Sequence, residues 1–361
     1  MDFALTEEQE LLRHSVQRLF VDHYAFEARK RYGQEPGGYG RAQWARYAEL
    51  GLLGLPFAEE HGGSAGGPVE TMIVMEEIGR ALALEPYLPT VVLAGGHLTL
   101  AFAHAERQSR YDIADVAATA RHEGAGYVLD GAKSLVLHGD SAGKFIVSAR
   151  LSGGRSDKDG LALFLVDAGA KGVSTRGYAT VDGLRAAEVT LSGVRVDAGA
   201  VIGEPGKAFP LIERVVDTAI AALAAEAVGA MAAMHEQTVD YMKTRKQFGV
   251  TIGSFQALQH RAAEMLVALE QARSMAMLAT MMAAEENVRE RRQAISAAKV
   301  QIGRSARIVG HGAIQIHGGI GMTMEAKVGH YFKRVTTIDT TFGDADYHLG
   351  ILAETGGLVA A

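Results

Sequence analysis

The chain of 361 residues contains no cysteine. That excludes disulfides, thiolate metal sites and cysteine nucleophiles, and it fits a reducing, cytoplasmic setting. A basic surplus is missing as well: the formal net charge is -6, from 36 Lys+Arg against 42 Asp+Glu. Nothing in that balance asks for nucleic acid or an anionic membrane surface. No stretch carries the roughly 18–20 uninterrupted apolar residues of a membrane span. The opening, Met1-Asp2-Phe3-Ala4-Leu5-Thr6-Glu7-Glu8, is acidic early and lacks a signal-peptide pattern. There is no internal repeat and no low-complexity tail. What is present is ordinary for a globular protein, with 48% hydrophobic and 22% charged residues. The length allows two or three domains with sizeable cores. Met231, Met234, Met275, Met277, Met281 and Met282 gather in the C-terminal half and read as packing between helices.

The hydrophobic period changes twice along the chain. In residues 5–95 it is helical: Thr6 with Gln9 forms a capping box, and Leu12, Val16, Leu19 and Phe20 follow at helical spacing. A helix ends between Glu49 and Pro56, the Gly-rich loop at residues 60–67 breaks the chain, and a helix is predicted over Val69 to Leu82. In residues 98–200 the period becomes two. Tyr127-Val128-Leu129, Asp130-Gly131 and Ala132 to Leu137 read as a hairpin with a tight Asp-Gly turn. Leu98 to His104, Phe145 to Ala149, Leu161 to Val166 and Glu188 to Leu191 read as further strands of a small antiparallel domain. After residue 204 four helical runs follow, at 207–244, 254–286, 290–312 and 325–352, which suggests a bundle. The predicted domains are therefore an N-terminal α-helical domain (1–97), a middle β domain (98–202) and a C-terminal helical bundle (203–361).

Three short pieces suggest chemistry: Arg245-Lys246-Gln247-Phe248-Gly249, Phe255-Gln256-Ala257-Leu258-Gln259, and Gln315-Ile316-His317-Gly318-Gly319-Ile320-Gly321. Singly, a Gly-rich run is a tight turn and an arginine near a helix end is solvated. Together they predict an anion site. Gly318, Gly319 and Gly321 let backbone N–H groups approach a phosphate, Arg245 forks onto it, and Gln256 and Gln315 donate to its oxygens.

With these pieces the sequence resembles the acyl-CoA dehydrogenase family over essentially its whole length. The helical–β–helical order, the opening Phe3 to Leu12, and Val201-Ile202-Gly203-Glu204-Pro205-Gly206 at the β-to-helix boundary add to the resemblance. It implies an acyl-CoA dehydrogenase-like fold and FAD. The ADP half of the FAD, held mainly by a neighbouring subunit, would fall to Arg245, Gln247, Phe248, Gln256, Gln315, Gly318 and Gly319. It also implies an oligomer, an acyl-CoA substrate and, as the usual electron acceptor, an electron-transfer flavoprotein.

The remaining family machinery departs from the pattern. The α-proton of the thioester needs a carboxylate base, yet the position of the family glutamate holds Phe342 in Thr341-Phe342-Gly343-Asp344. The alternative base position is Ala219, and the arginine that accompanies the glutamate maps to Ile220. The flavin-ring segment corresponds to Ala105 to Asp112, and the family's Trp-x-Thr strand to Leu135-Val136-Leu137, where Leu135 and Leu137 read as alternating core residues. The helix and loop of about twenty residues that the family places before the strand at Leu98 are missing here.

Glu226, in an apolar helical run, is a candidate relocated base, with a pair to a lysine or arginine of another helix as the favoured structural role. Asp344 is the other candidate, with capping favoured. Asp344, Asp346 and His348 superficially suggest metal ligands, but nothing else points to a metal. His311 and His317 flank the Gly-rich loop. The pattern is that of a base-lacking subunit which completes the FAD site of a homologous catalytic subunit, and the motif Phe342 to Asp346 resembles the small subunit of pimeloyl-CoA-dehydrogenase-type pairs. Two alternatives remain open: a self-sufficient homomeric acyl-CoA dehydrogenase with a relocated base, and a non-redox relic that binds acyl-CoA or proteins.

Overall fold

The computed structural model describes residues 4–95 and 99–356. Phe3 and Leu98 therefore lie outside the described residues. In chain order the elements are helices α1 (Glu7–His23), α2 (Phe26–Tyr32), α3 (Arg41–Glu49) and α4 (Pro68–Ala81). Strands β1 (Leu100–Ala103), β2 (Thr119–Glu123), β3 (Gly126–Leu137), β4 (Lys144–Arg150), β5 (Leu161–Asp167), β6 (Val173–Ala179), β7 (Arg185–Asp197) and β8 (Val201–Ile202) come next. The chain continues with α5 (Phe209–Thr244), the two-residue strands β9 (Lys246–Gln247) and β10 (Val250–Thr251), α6 (Gln256–Met282), α7 (Val288–His317), α8 (Lys327–Thr340) and α9 (Ala345–Thr355). They form two compact units, residues 1–31, 65–83 and 220–361 in one, and 32–64 and 84–219 in the other.

The second unit is built on one eight-stranded sheet in the order β6-β7-β3-β2-β4-β5-β8, with β1 also on β4. It is mixed, not purely antiparallel: β1 runs parallel to β4, and β2 meets β4 in parallel at Thr119 and Arg150. The predicted hairpin at Asp130-Gly131 is not there. β3 passes straight through both residues, and the turn lies upstream, where Gly124, at φ 61, lets Glu123 pair with Gly126. Asp130-Gly131 is instead a bulge against β7. Glycine is needed there for closeness, since a Cβ on Gly131 would lie 2.5 Å from that of Ala118. β6 has few apolar residues and no period-two signal, so only its pairing with β7 reveals it. Phe145, Val147, Phe164, Leu129, Val189 and Val194 lie at the centre of the sheet core.

The first unit has α7 at its centre, in contact with α6, α8 and α9. Glycines set one close crossing: a Cβ on Gly79 of α4 would stand 1.9 Å from the Glu226 carbonyl, and one on Gly229 of α5 1.8 Å from that of Glu76. α5 contains an 18-residue window apolar enough for a membrane span by composition, but 89% of that window is buried within the protein, as in a core helix. The run predicted as one helix over 325–352 is two. α8 ends as Thr341 turns extended and Phe342 left-handed (φ 58), and Asp344 starts α9 by accepting from Tyr347 N at 2.9 Å.

Candidate functional site

Phe342 stands in the turn between α8 and α9. Its φ of 58° is costly for a residue with a Cβ, so the surroundings must impose it. His348 does so from α9: its Nε2 meets the Phe342 carbonyl at 3.0 Å, while its Nδ1 meets Ser296 Oγ of α7 at 3.1 Å. Burial holds His348 down to about 4, so the imidazole is neutral and can bridge a carbonyl and a hydroxyl. Gly343, at φ 106, leaves no room for a Cβ, which would stand 2.5 Å from Tyr347 and 2.7 Å from His348. These contacts hold the turn, which carries a phenyl side chain at the position that the resemblance maps to the family's glutamate.

The two candidate carboxylates are engaged elsewhere. Glu226 is buried and forms a bidentate pair with Arg334 of α8, with Nε to Oε1 at 2.5 Å and Nη2 to Oε2 at 2.7 Å. This is the structural pair that an apolar helix face requires of a buried acid. Both carboxylate oxygens of Glu226 are occupied by the guanidinium. Asp344 caps α9. Ala219 and Ile220 are both buried. No metal centre forms at Asp344, Asp346 and His348, since His348 turns to Ser296 and Phe342. Among the described residues no group of three His, Cys, Asp or Glu side chains could hold a metal.

The three predicted anion-site pieces come together at one end of the helical unit. α5 ends just before Arg245, and β9 and β10 form a hairpin whose tip carries Phe248 (φ 54) and Gly249 (φ 83). Phe248 is 91% exposed and meets the Phe255 ring edge-on at 6.2 Å, which ties the first piece to the second. His317 stacks on Tyr241 at 4.4 Å, which ties the C-terminal end of α7 to that of α5. Gln256 opens α6, Gln315 lies in the last turn of α7, and Gly318 (φ 63) and Gly319 follow with open space where a Cβ would be. Arg245, Gln247, Gln256, Gln315, Gly318 and Gly319 are all exposed. Unobstructed backbone, an arginine and three amides suit a pyrophosphate that reaches in from another molecule. His317 makes its polar contact inward, Nδ1 to Ala313 O at 2.9 Å, and His311 leans on Phe332.

The sheet unit carries the segment mapped to the flavin ring. Its Glu106 is buried and accepts from Ala117 N, Ala118 N and Gln108 Nε2, and pairs with Lys133 Nζ at 2.6 Å. Lys133 also donates to Ser148 Oγ and the His104 carbonyl. Burial lowers Lys133 to about 8, against the opposing pull of Glu106. Burial acts to raise Glu106, but Lys133 and the hydrogen bonds outweigh it and hold the carboxyl below its usual range. This network was not predicted: Lys133 and Glu106 are 27 residues apart and look like surface charges in the sequence. Leu135 is a correction. It is not a core residue but 48% exposed at φ 50, beyond a register shift in β3, and Val136 is the buried one. Leu135, Val136 and Leu137 offer a flavin ring no hydroxyl or indole.

The chain matches three consecutive family profiles: "Acyl-CoA dehydrogenase, N-terminal domain" over residues 6–114, "middle domain" over 101–195 and "C-terminal domain" over 209–357. The chain belongs to the acyl-CoA dehydrogenase family, FAD-dependent oxidoreductases that act on acyl-CoA. It is 28% identical to the "Probable acyl-CoA dehydrogenase YngJ" of Bacillus subtilis, over 98% of this chain and 99% of that protein. Among solved structures, the "Tcur3481-Tcur3483 steroid ACAD G363A variant" superposes with a TM-score of 0.86 at 29% identity over 97% of each chain. The ChsE4-ChsE5 complex from Mycobacterium tuberculosis shares the fold, with a TM-score of 0.87 at 24% identity over 100% of both chains. For the FAD of the family, the exposed arginine, amides and open glycine backbone around Arg245 and Gly318 have the chemistry the ADP half requires, and Leu135 to Leu137 supply the ring half with no hydrogen-bonding group.

Proposed function

We propose that this chain is a base-lacking subunit of a heteromeric acyl-CoA dehydrogenase, of the pimeloyl-CoA-dehydrogenase small-subunit kind. It would complete the FAD site of a homologous catalytic subunit that oxidises an acyl-CoA to the 2-enoyl-CoA, with an electron-transfer flavoprotein as acceptor. The observation that carries the reading is the pinned turn at Phe342, with Glu226 clamped by Arg334 and Asp344 used as a cap. Abstraction of an α-proton needs a carboxylate within hydrogen-bond reach, and a phenyl ring supplies none. The exposed Arg245–Gly319 surface supports a role in a neighbour's cofactor site. The similarity to the Tcur3481-Tcur3483 steroid ACAD, a pair by its designation, supports a two-subunit assembly and a bulky, ring-bearing acyl-CoA.

The test is the flavin spectrum of the purified chain, recorded anaerobically before and after addition of an acyl-CoA. The expected result is a protein that is colourless, or yellow and not bleached. Bleaching by substrate in the chain alone would overturn the reading and require a base other than Phe342.

A further inference from the structure

His317 is the last residue of α7, immediately before the Gly318-Gly319 pair, and two contacts fix its ring. Nδ1 lies 2.9 Å from the Ala313 carbonyl one turn back, and the ring stacks on Tyr241 of α5 with centroids 4.4 Å apart and planes at 20°. The Tyr241 carbonyl accepts the Arg245 N–H at 2.8 Å, so the stack stands one helical turn from Arg245. Gly321 comes close enough that a Cβ there would stand 3.1 Å from that of His317.

A carbonyl only accepts, so Nδ1 must carry the ring hydrogen. Burial, against the pull of that carbonyl, holds the imidazole below its usual pKa, and it is neutral at pH 7. Nε2 is then a bare lone pair. It lies on the ring edge away from Ala313, on a partly exposed side chain, and makes no hydrogen bond among the described residues. A lone pair repels a phosphate oxygen, so this nitrogen is unsuited to the pyrophosphate and calls for a donor instead. In ADP the group next to the phosphates is the ribose, which carries hydroxyls. We infer that His317 Nε2 accepts a hydrogen bond from a ribose hydroxyl of the cofactor's ADP half, and so tells a nucleotide from a bare anion. The inference rests on the reading of the Arg245–Gly319 surface as a cofactor site and adds a specificity-determining residue to it.

The test is calorimetric binding of ADP, its 2′-deoxy and 3′-deoxy forms, inosine diphosphate and inorganic pyrophosphate to the full chain, in its assembly where one forms. With the unmodified protein, removal of one of the two hydroxyls should weaken binding about fivefold, the worth of one hydrogen bond. Inosine diphosphate lacks the 6-amino group and keeps both hydroxyls, so it should bind like ADP. His317→Phe keeps a ring on Tyr241 and removes Nε2. It should bind ADP about fivefold more weakly, bind pyrophosphate as before, and no longer distinguish ADP from either deoxy form. A merely structural role for His317 would weaken pyrophosphate equally and leave the hydroxyl preference intact. Equal binding of ADP and both deoxy forms by the unmodified protein overturns the inference without need of a variant, as does a loss seen with inosine diphosphate alone. A protein that binds neither ADP nor pyrophosphate overturns the anion site itself, and the inference with it.

Discussion

Glu226 and Arg334 show what a buried charge requires of its surroundings. Neither has an obvious local partner in sequence, and the two meet 108 residues apart through a two-point contact. Removing one member leaves the other charged and unpaired in the core. Glu226→Ala should cost about 3–5 kcal/mol in chemical unfolding. Glu226→Leu combined with Arg334→Met should recover most of that loss, whereas a carboxylate needed for chemistry would not be rescued in turnover of the assembled enzyme. Lys299 carries a pH prediction. It is buried on α7, donates to the Ile338 carbonyl, and burial lowers it from 10.5 to about 7, against the pull of Asp339 and Asp344. Between pH 7 and 10.5 the unfolded chain therefore holds more protons at this site than the folded one, and stability rises with pH across that window. Lys299→Met should flatten the rise by up to about 1.4 kcal/mol per pH unit, read from urea unfolding at pH 7, 8 and 9.

Among the elements, α4 and α5 cross by backbone contact. The carbonyl of Glu76 occupies the place of a Gly229 side chain. Gly229→Ala should cost about 3 kcal/mol, because the overlap is with backbone and cannot be relieved by a rotamer change. The Phe342 turn behaves differently. Asp344→Ala removes a helix cap and should cost about 1 kcal/mol in thermal unfolding. A drop several times larger would show that Asp344 does more than cap. The same turn explains why the last predicted helix is two: Thr341 to Asp344 contain no proline, and the break comes from Phe342 and Gly343 adopting positive φ.

Arg245→Gln should leave the melting temperature of the isolated chain unchanged, because the residue is exposed, and should lower flavin retention of the co-purified complex roughly tenfold or more through loss of a charge-assisted contact. Unchanged retention would remove Arg245 from the cofactor site. Phe342→Glu should not make the chain a dehydrogenase by itself, since Leu135, Val136 and Leu137, in the segment that the resemblance maps to the flavin ring, stay apolar; acyl-CoA turnover by that variant alone would show that the base was all it lacked.

The helical–β–helical order and most helix positions were legible in the sequence, because each rests on local period, and the three pieces around Arg245, Gln256 and Gly318 stood out by their glycine and amide spacing. The absence of a carboxylate at Phe342 was legible too, since a residue type either can accept a proton or cannot. The bulge at Asp130-Gly131, the exposed Leu135, strand β6 and the buried pairs Glu226–Arg334 and Glu106–Lys133 were decided only by tertiary structure. An Asp-Gly pair serves a turn or a bulge equally well, and the choice falls to the neighbouring strands. A buried charge is likewise indistinguishable from a solvated one until its partner, distant in sequence, is brought within 3 Å.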